Sequence, residues 1–131
     1  MIIYISGPIT GIRDNNHRGF EKVHSKIIDA FRDTKAWDTL SIITPLAIAA
    51  DVNARFDQIN KNHYRKIKPQ WNDYMKACIP ALCTATHVLF IKGWEKSKGA
   101  ALERQIAEAI GILCVESIDD LLNFSEMETH Q

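Results

Sequence analysis

Glu103 is the residue of this 131-residue chain whose type and position most invite chemistry. Gly99, Glu103, Ile106, Ala107 and Ile110 recur at i, i+4, i+7, i+8 and i+11, the apolar face of a helix expected from about Lys98 to Ile110. Arg104, Gln105 and Glu108 take the wet side. A carboxylate on a buried stripe is costly unless it meets partners or a cavity. Near a helix N-terminus it also stays ionised more readily, as a nucleophile must. A slightly rotated helix would instead put Glu103 at the rim as a favourable early-turn charge, and periodicity alone fits both.

Two glycine-bearing loops could present a ligand to that carboxylate. One is Ser6-Gly7-Pro8-Ile9-Thr10-Gly11; the other is Gly93-Trp94-Glu95-Lys96-Ser97-Lys98-Gly99-Ala100, which opens the Glu103 helix. Free N–H groups and the helix dipole favour an anion at such a helix start. Tight strand-to-helix turns need glycines in any case. Neither loop is a phosphate-binding G-x-x-x-x-G-K-[ST] or a G-x-G-x-x-G, so no triphosphate or dinucleotide is indicated. Cys78, Cys83 and Cys114 form no C-x-x-C pair, and the five histidines are scattered. Neither metal nor cofactor is expected, and the thiols read as reduced core residues.

The elements that must position these groups follow from periodicity. Ile2–Ile5, Ser41–Thr44, His87–Ile91 and Ile112–Val115 are short apolar runs of the kind buried in parallel sheets. Between the first two, Phe20, Val23, Ile27, Ile28 and Phe31 form a helical stripe, with N-cap candidates in Thr10 to Asn16. Trp71, Tyr74, Met75, Cys78 and Leu82 share another helical face, which Pro80 is expected to kink or end. Ile118, Leu121 and Leu122 suggest a short last helix, with a tail over 125–131 expected to fray. Residues 46–70 read as an irregular basic excursion, either a solvated loop or a lid attracting phosphate. Strands alternating with helices predict one α/β domain over 1–131. It is expected to be doubly wound and flavodoxin-like or Rossmann-like, with a mainly parallel sheet of four to five strands and right-handed crossovers.

Composition bounds the rest. Lys+Arg 16 balances Asp+Glu 16, and 46% of residues are hydrophobic. A chain of this size buries roughly two-thirds of its unfolded surface, enough for a core without staples. Zero net charge argues against a general nucleic-acid binder. No apolar run approaches a membrane span, and Met1 leads straight into a strand rather than a basic leader, so a cytoplasmic protein with no membrane partner is expected. The charge is unevenly spread: cations gather between Arg55 and Lys68, while Glu116, Asp119, Asp120, Glu126 and Glu128 lie near the C-terminus.

Tyr4-Ile5-Ser6-Gly7-Pro8-Ile9-Thr10-Gly11, Phe20, Trp71-Asn72-Asp73-Tyr74-Met75, and Gly93-Trp94-Glu95-Lys96-Ser97-Lys98-Gly99-Ala100 with Glu103 and Ala107 together carry a family likeness. In these residues the chain resembles the nucleoside 2-deoxyribosyltransferase-like superfamily. It looks most like a small bacterial and phage branch (DUF4406-like) with the signature G-W-E-x-S-x-G-A-x-x-E. The resemblance implies a domain acting on the N-glycosidic bond of a 2-deoxynucleoside or its 5′-monophosphate, as a transferase or a hydrolase. Glu103 matches the nucleophile. Tyr4, Ser6, Gly7 and Pro8 match the loop lining the sugar and base, with Gly93 and Trp94 beside it. Ser97, Gly99 and Ala100 match the seat of a 5′-phosphate. Relatives commonly form homodimers or larger homo-oligomers. They usually carry aspartates where this chain has Cys78 and Thr86, and Asn-Pro where it has Thr44-Pro45. The acid that would help the base leave is therefore absent from its usual place, with Asp73, Glu95 or water as substitutes. A nucleotide-binding protein that has lost catalysis is the alternative implication.

Overall fold

A computed structural model describes residues 1–9 and 13–129 of the chain; Thr10 and Gly11 of the first loop lie outside the described residues, as do His130 and Gln131. Four strands form one sheet: β1 (Ile2–Ser6), β2 (Ser41–Ile43), β3 (His87–Phe90) and β4 (Leu113–Val115). The order is β2-β1-β3-β4 and every pairing is parallel, with Tyr4 opposite Ile43 and Val88, Ser6 opposite Phe90, and Leu89 opposite Val115. Five α-helices connect and follow them: α1 (His17–Phe31), α2 (Pro45–Asn60), α3 (Trp71–Cys83), α4 (Lys98–Ala109) and α5 (Ile118–Thr129). The domain is thus a doubly wound α/β sheet of the flavodoxin-like or Rossmann-like kind.

Side-chain alternation divides the core between the two faces. Ile3 and Ile5 of β1 join Leu89 and Val115 under Phe20, Ile27 and Phe31 of α1 and Leu121 of α5. Tyr4, Val88 and Phe90 point the other way, toward Leu82 of α3 and Ala107 of α4. The strand order reverses between β1 and β3, the point at which open parallel sheets bind ligands beyond their carboxyl ends.

The expected strands are present to within a residue or two, and the helices of the α1, α3 and α4 stripes are there. Three expectations need correction. Residues 46–70 are not irregular throughout, because α2 occupies Pro45–Asn60. Thr44 caps it, its side chain accepting from Ala47 N at 3.3 Å, and Pro45 sits at the first helical position, where its missing N–H costs nothing. Only Pro45 and Val52 of this helix are buried, so its apolar stripe is too sparse to read from sequence. Pro80 does not end α3, which continues to Cys83 with the proline on its exposed side. The final helix is longer than expected, α5 extending through Thr129 instead of fraying from 125. Among the described residues no helix is long and apolar enough to cross a membrane.

Candidate functional site

β1 ends by pointing Ser6 into the protein, and this places the first polar group of the site. Ser6 is fully buried, and its hydroxyl donates to Glu103 Oε1 at 3.0 Å across 97 residues of sequence. Gly7 follows because the chain passes hard against β3: a Cβ there would stand 2.8 Å from Ile91 Cβ. Ile91 N meanwhile donates to Ser6 O at 2.8 Å, extending the β1–β3 pairing by one bond. Pro8 lies against Gly93, whose φ of 94° is a left-handed turn that glycine adopts without strain. The Ser6–Pro8 and Gly93 loops therefore meet at the switch point. Asn16 ties the first of them down, Nδ2 donating to Pro8 O at 2.8 Å.

α4 supplies the carboxylate. Ser97 caps this helix, its hydroxyl oxygen accepting from Ala100 N at 3.2 Å and its carbonyl from Ala101 N at 2.9 Å. Ala100, Glu103 and Ala107 form the buried face, so the rim placement of Glu103 does not occur: the residue is 5% exposed. Glu103 Oε2 has no hydrogen-bond partner. Beside it lie the Tyr4 hydroxyl, fully buried on the same face of the sheet, and the Cys78 thiol of α3. Tyr4 Oη couples electrostatically to both neighbours yet makes no hydrogen bond of ordinary geometry. Tyr4, Ser6, Cys78 and Glu103 are thus a buried polar group set in an apolar seam between α3, α4 and the sheet.

Burial governs how these groups titrate. It pushes the Glu103 carboxyl above the ordinary carboxylate range, while the hydroxyls of Tyr4 and Ser6 pull it part of the way back. Burial, and then the neighbouring Glu103 charge, raise the Tyr4 phenol so that it keeps its proton. The Cys78 thiol is pushed up to about 11, chiefly by burial, and stays a thiol at neutral pH. A carboxylate with one oxygen held and the other unpartnered can attack an electrophilic carbon or stabilise a cationic one.

Other anticipated residues have different placements. Trp94 packs on Phe90 with ring centroids 5.3 Å apart, donates from Nε1 to Glu116 Oε1 at 2.8 Å, and lies under Arg104. None of those contacts is with the Glu103 group. Asp73 Oδ2 accepts from Gln70 N at 2.8 Å and is engaged in starting α3. Thr86 lies at the opposite end of the sheet, where its hydroxyl clasps the backbone of Ile2. Two open grooves, of about 460 and 500 Å³, lie along α2, one with the 61–69 loop and the other with α1; Glu103 lines neither. Among the described residues no three His, Cys, Asp or Glu side chains converge as a metal would require.

Sequence reasoning missed Trp71 and Lys98 as site neighbours. Lys98 Nζ lies 3.9 Å from the centroid of the Trp71 ring, and a Cβ on Gly99 would be 3.6 Å from Trp71 Nε1 and 3.4 Å from Met75 Sδ. The signal was available: Trp71, Met75 and Cys78 share one face of α3, as Gly99 and Glu103 share one face of α4.

Fold and site together define a flavodoxin-like α/β domain with a buried, serine-held glutamate at the switch point of its sheet. A family model described as a domain of unknown function (DUF4406) matches residues 47–116, just over half of the 131 residues, and the chain belongs to that family. The matched span contains Cys78, the 93–100 loop and Glu103, while Tyr4 and Ser6 lie outside it. No curated protein and no solved structure matches the chain.

Proposed function

We propose that the protein cleaves or transfers at the N-glycosidic bond of a 2-deoxynucleoside or 2-deoxynucleoside 5′-monophosphate, with Glu103 as nucleophile. The observation that carries this reading is the state of the Glu103 carboxylate: buried, with Oε1 held by Ser6 and Oε2 unpartnered. In the first step Oε2 bonds to C1′ as the C1′–N bond breaks, and the electron pair leaves with the base, which takes a proton from water. Water or a second base then attacks C1′, and the carboxylate is restored. Ser6 keeps one oxygen fixed throughout, so the other meets the developing positive charge at the sugar in a set orientation. The reading includes a cytoplasmic location, small-molecule rather than nucleic-acid ligands, and assembly as a homodimer or larger homo-oligomer.

A second reading is favoured by one observation. Cys78, beside Glu103, keeps its proton up to about pH 11 and is a poor acid for a departing base. On that reading the site binds a nucleotide without breaking it. The two separate when the protein is incubated with a panel of 2-deoxynucleosides and their monophosphates and free base is followed by chromatography. Release of base by the wild type and not by Glu103→Gln supports the enzyme. A thermal shift from one of these compounds with no base released supports the binder, and neither effect removes both.

A further inference from the structure

Helical spacing puts Arg104 on the wet side of α4 with Gln105 and Glu108, yet only 21% of its side chain is exposed. Its guanidinium carbon lies 5.0 Å from the centroid of the Phe90 ring and 4.6 Å from that of Trp94, a cation held against two aromatic rings. Nε donates to Glu108 Oε1 at 2.9 Å, one turn further along the helix, and Nη1 lies 3.7 Å from Glu116 Oε2, just beyond β4. Trp94 Nε1 donates to the other oxygen of Glu116 at 2.8 Å, which closes the set. One side chain thus fastens α4 to the last residue of β3, to the turn after β3 and to the residue after β4.

Glu103 is anchored on the opposite flank. Its carboxylate takes the hydroxyl of Ser6 at the end of β1, and Ser6 is paired with Phe90 across the sheet. In the order β1-β3-β4, Glu103 therefore reaches toward one neighbour of β3 and Arg104 toward the other. The two residues stand about 100° apart around the helix axis, at 3.6 residues per turn, so α4 cannot roll to free one without displacing the other. A buried carboxylate with one unpartnered oxygen favours such a roll, because water would solvate it. Apolar packing opposes the roll only weakly: Ala100 and Ala107, flanking Glu103 on the buried face, are small and form shallow ridges.

We infer that Arg104 is a positioning residue for Glu103: stacked on Phe90 and Trp94 and paired with Glu108 and Glu116, it fixes the roll of α4 that keeps the carboxylate in the seam beside Ser6. Trp94 then serves the site through Arg104 and α4, with its ring against the guanidinium and its indole N–H on Glu116. Exposed ion pairs contribute little alone, but this guanidinium is mostly shielded and its fork is engaged on two sides. The effect on rate rests on the proposed glycosidic reading, whereas the placement of Glu103 is measured with no substrate present.

The test uses the full chain with glutamate isotopically labelled at the side-chain carboxyl carbon and followed by NMR, the Glu103 signal being assigned by its loss in Glu103→Gln. In the wild type that signal should titrate above the ordinary carboxylate range, as burial requires. In Arg104→Met the helix is free to roll, Glu103 meets water, and its titration should fall into the ordinary range. Loss of the Arg104 charge alone would move it the other way, because a nearby cation favours the carboxylate. Arg104→Lys, which keeps the charge without the planar fork, should fall between the two. Glu116→Ala, at an exposed side chain, should move the signal in the same direction as Arg104→Met and by less. A Glu103 titration that stays in place or rises in folded Arg104→Met overturns the inference. Where circular dichroism shows that variant unfolded, the same outcome in Glu116→Ala overturns it. Base release is followed in parallel, and Arg104→Met should lose about tenfold or more in kcat with KM changed less. No release by the wild type from any 2-deoxynucleoside or its monophosphate overturns the glycosidic reading and leaves the titration to decide the inference. A fallen titration with undiminished kcat sustains the inference and overturns Glu103 as nucleophile.

Discussion

Ser6 and Glu103 form a hydrogen bond that favours the charged form of a carboxyl group which burial opposes. Activity should therefore rise with pH as Glu103 ionises, along a limb displaced above the ordinary carboxylate range. Removing the Ser6 hydroxyl should move that limb further up, so the pH–rate profile of Ser6→Ala is expected to be shifted to higher pH, and an unmoved limb would count against the pairing. Stability gives the opposite sign. A raised folded-state value means that the native protein holds the proton more tightly than the unfolded chain between the two values, so the stability contribution is lost as pH rises through that window. Glu103→Gln lacks the ionisation and should gain stability over the wild type in denaturant melts at pH 8, with the gain shrinking below the ordinary carboxyl value. The carboxylate was legible in the sequence because its spacing put it on an apolar stripe; which of its oxygens is held depends on Ser6, 97 residues away.

Among the elements, α2 and the turn after it show where periodicity fails. A helix that buries only Pro45 and Val52 carries too few apolar positions to announce itself, and its cap, Thr44 before Pro45, reads equally as a strand end. Helices burying a full stripe were legible, α1 through Phe20, Ile27 and Phe31, and α4 through Glu103 and Ala107, although Ala100 joins that face and Ile110, expected on it, is exposed. Beyond α2 the basic turn is ordered by one residue. Asn60 Nδ2 donates to Ile67 O and its Oδ1 accepts from Ile67 N, both at 2.8 Å, while Lys66 Nζ donates to Asn60 O at 2.7 Å. Asn60→Ala removes both side-chain bonds and leaves Lys61, Arg65, Lys66 and Lys68 on a loosened loop. Limited trypsin digestion should then cut there several-fold faster than in the wild type, with little change in global melting. Equal cutting rates would mean that Asn60 does not hold the loop.

At the scale of the molecule, the two cores have separate duties. The face under α1 and α5 is mainly apolar, with buried His87 against Phe124 of α5, and the face under α3 and α4 carries Tyr4, Cys78 and Glu103. Phe31 is fully buried in the first and touches none of the site. Phe31→Ala should cost about 3–5 kcal/mol, a large share of the roughly 5–15 kcal/mol that holds a small domain together. The correctly folded fraction should retain its base-release rate, which urea melts and rates per folded molecule would show. A parallel α/β sheet follows from the alternation of apolar runs with helical stripes, whereas its order, which sets β1 beside β3, is written in no single run. Nor does the contact of Trp71 with Lys98 follow, because it depends on how two helices that share no local pattern lie against each other.

The central claim is that Glu103 is the nucleophile of a glycosidic reaction, and the rate of base release by wild type and Glu103→Gln at matched folded concentration tests it most directly. The predicted result is release from at least one 2-deoxynucleoside or its monophosphate by the wild type. In Glu103→Gln, folded by circular dichroism, that rate should drop by a factor on the order of 10³ or more. Release that persists at the wild-type rate in Glu103→Gln, or that never occurs with any compound of the panel, would contradict it.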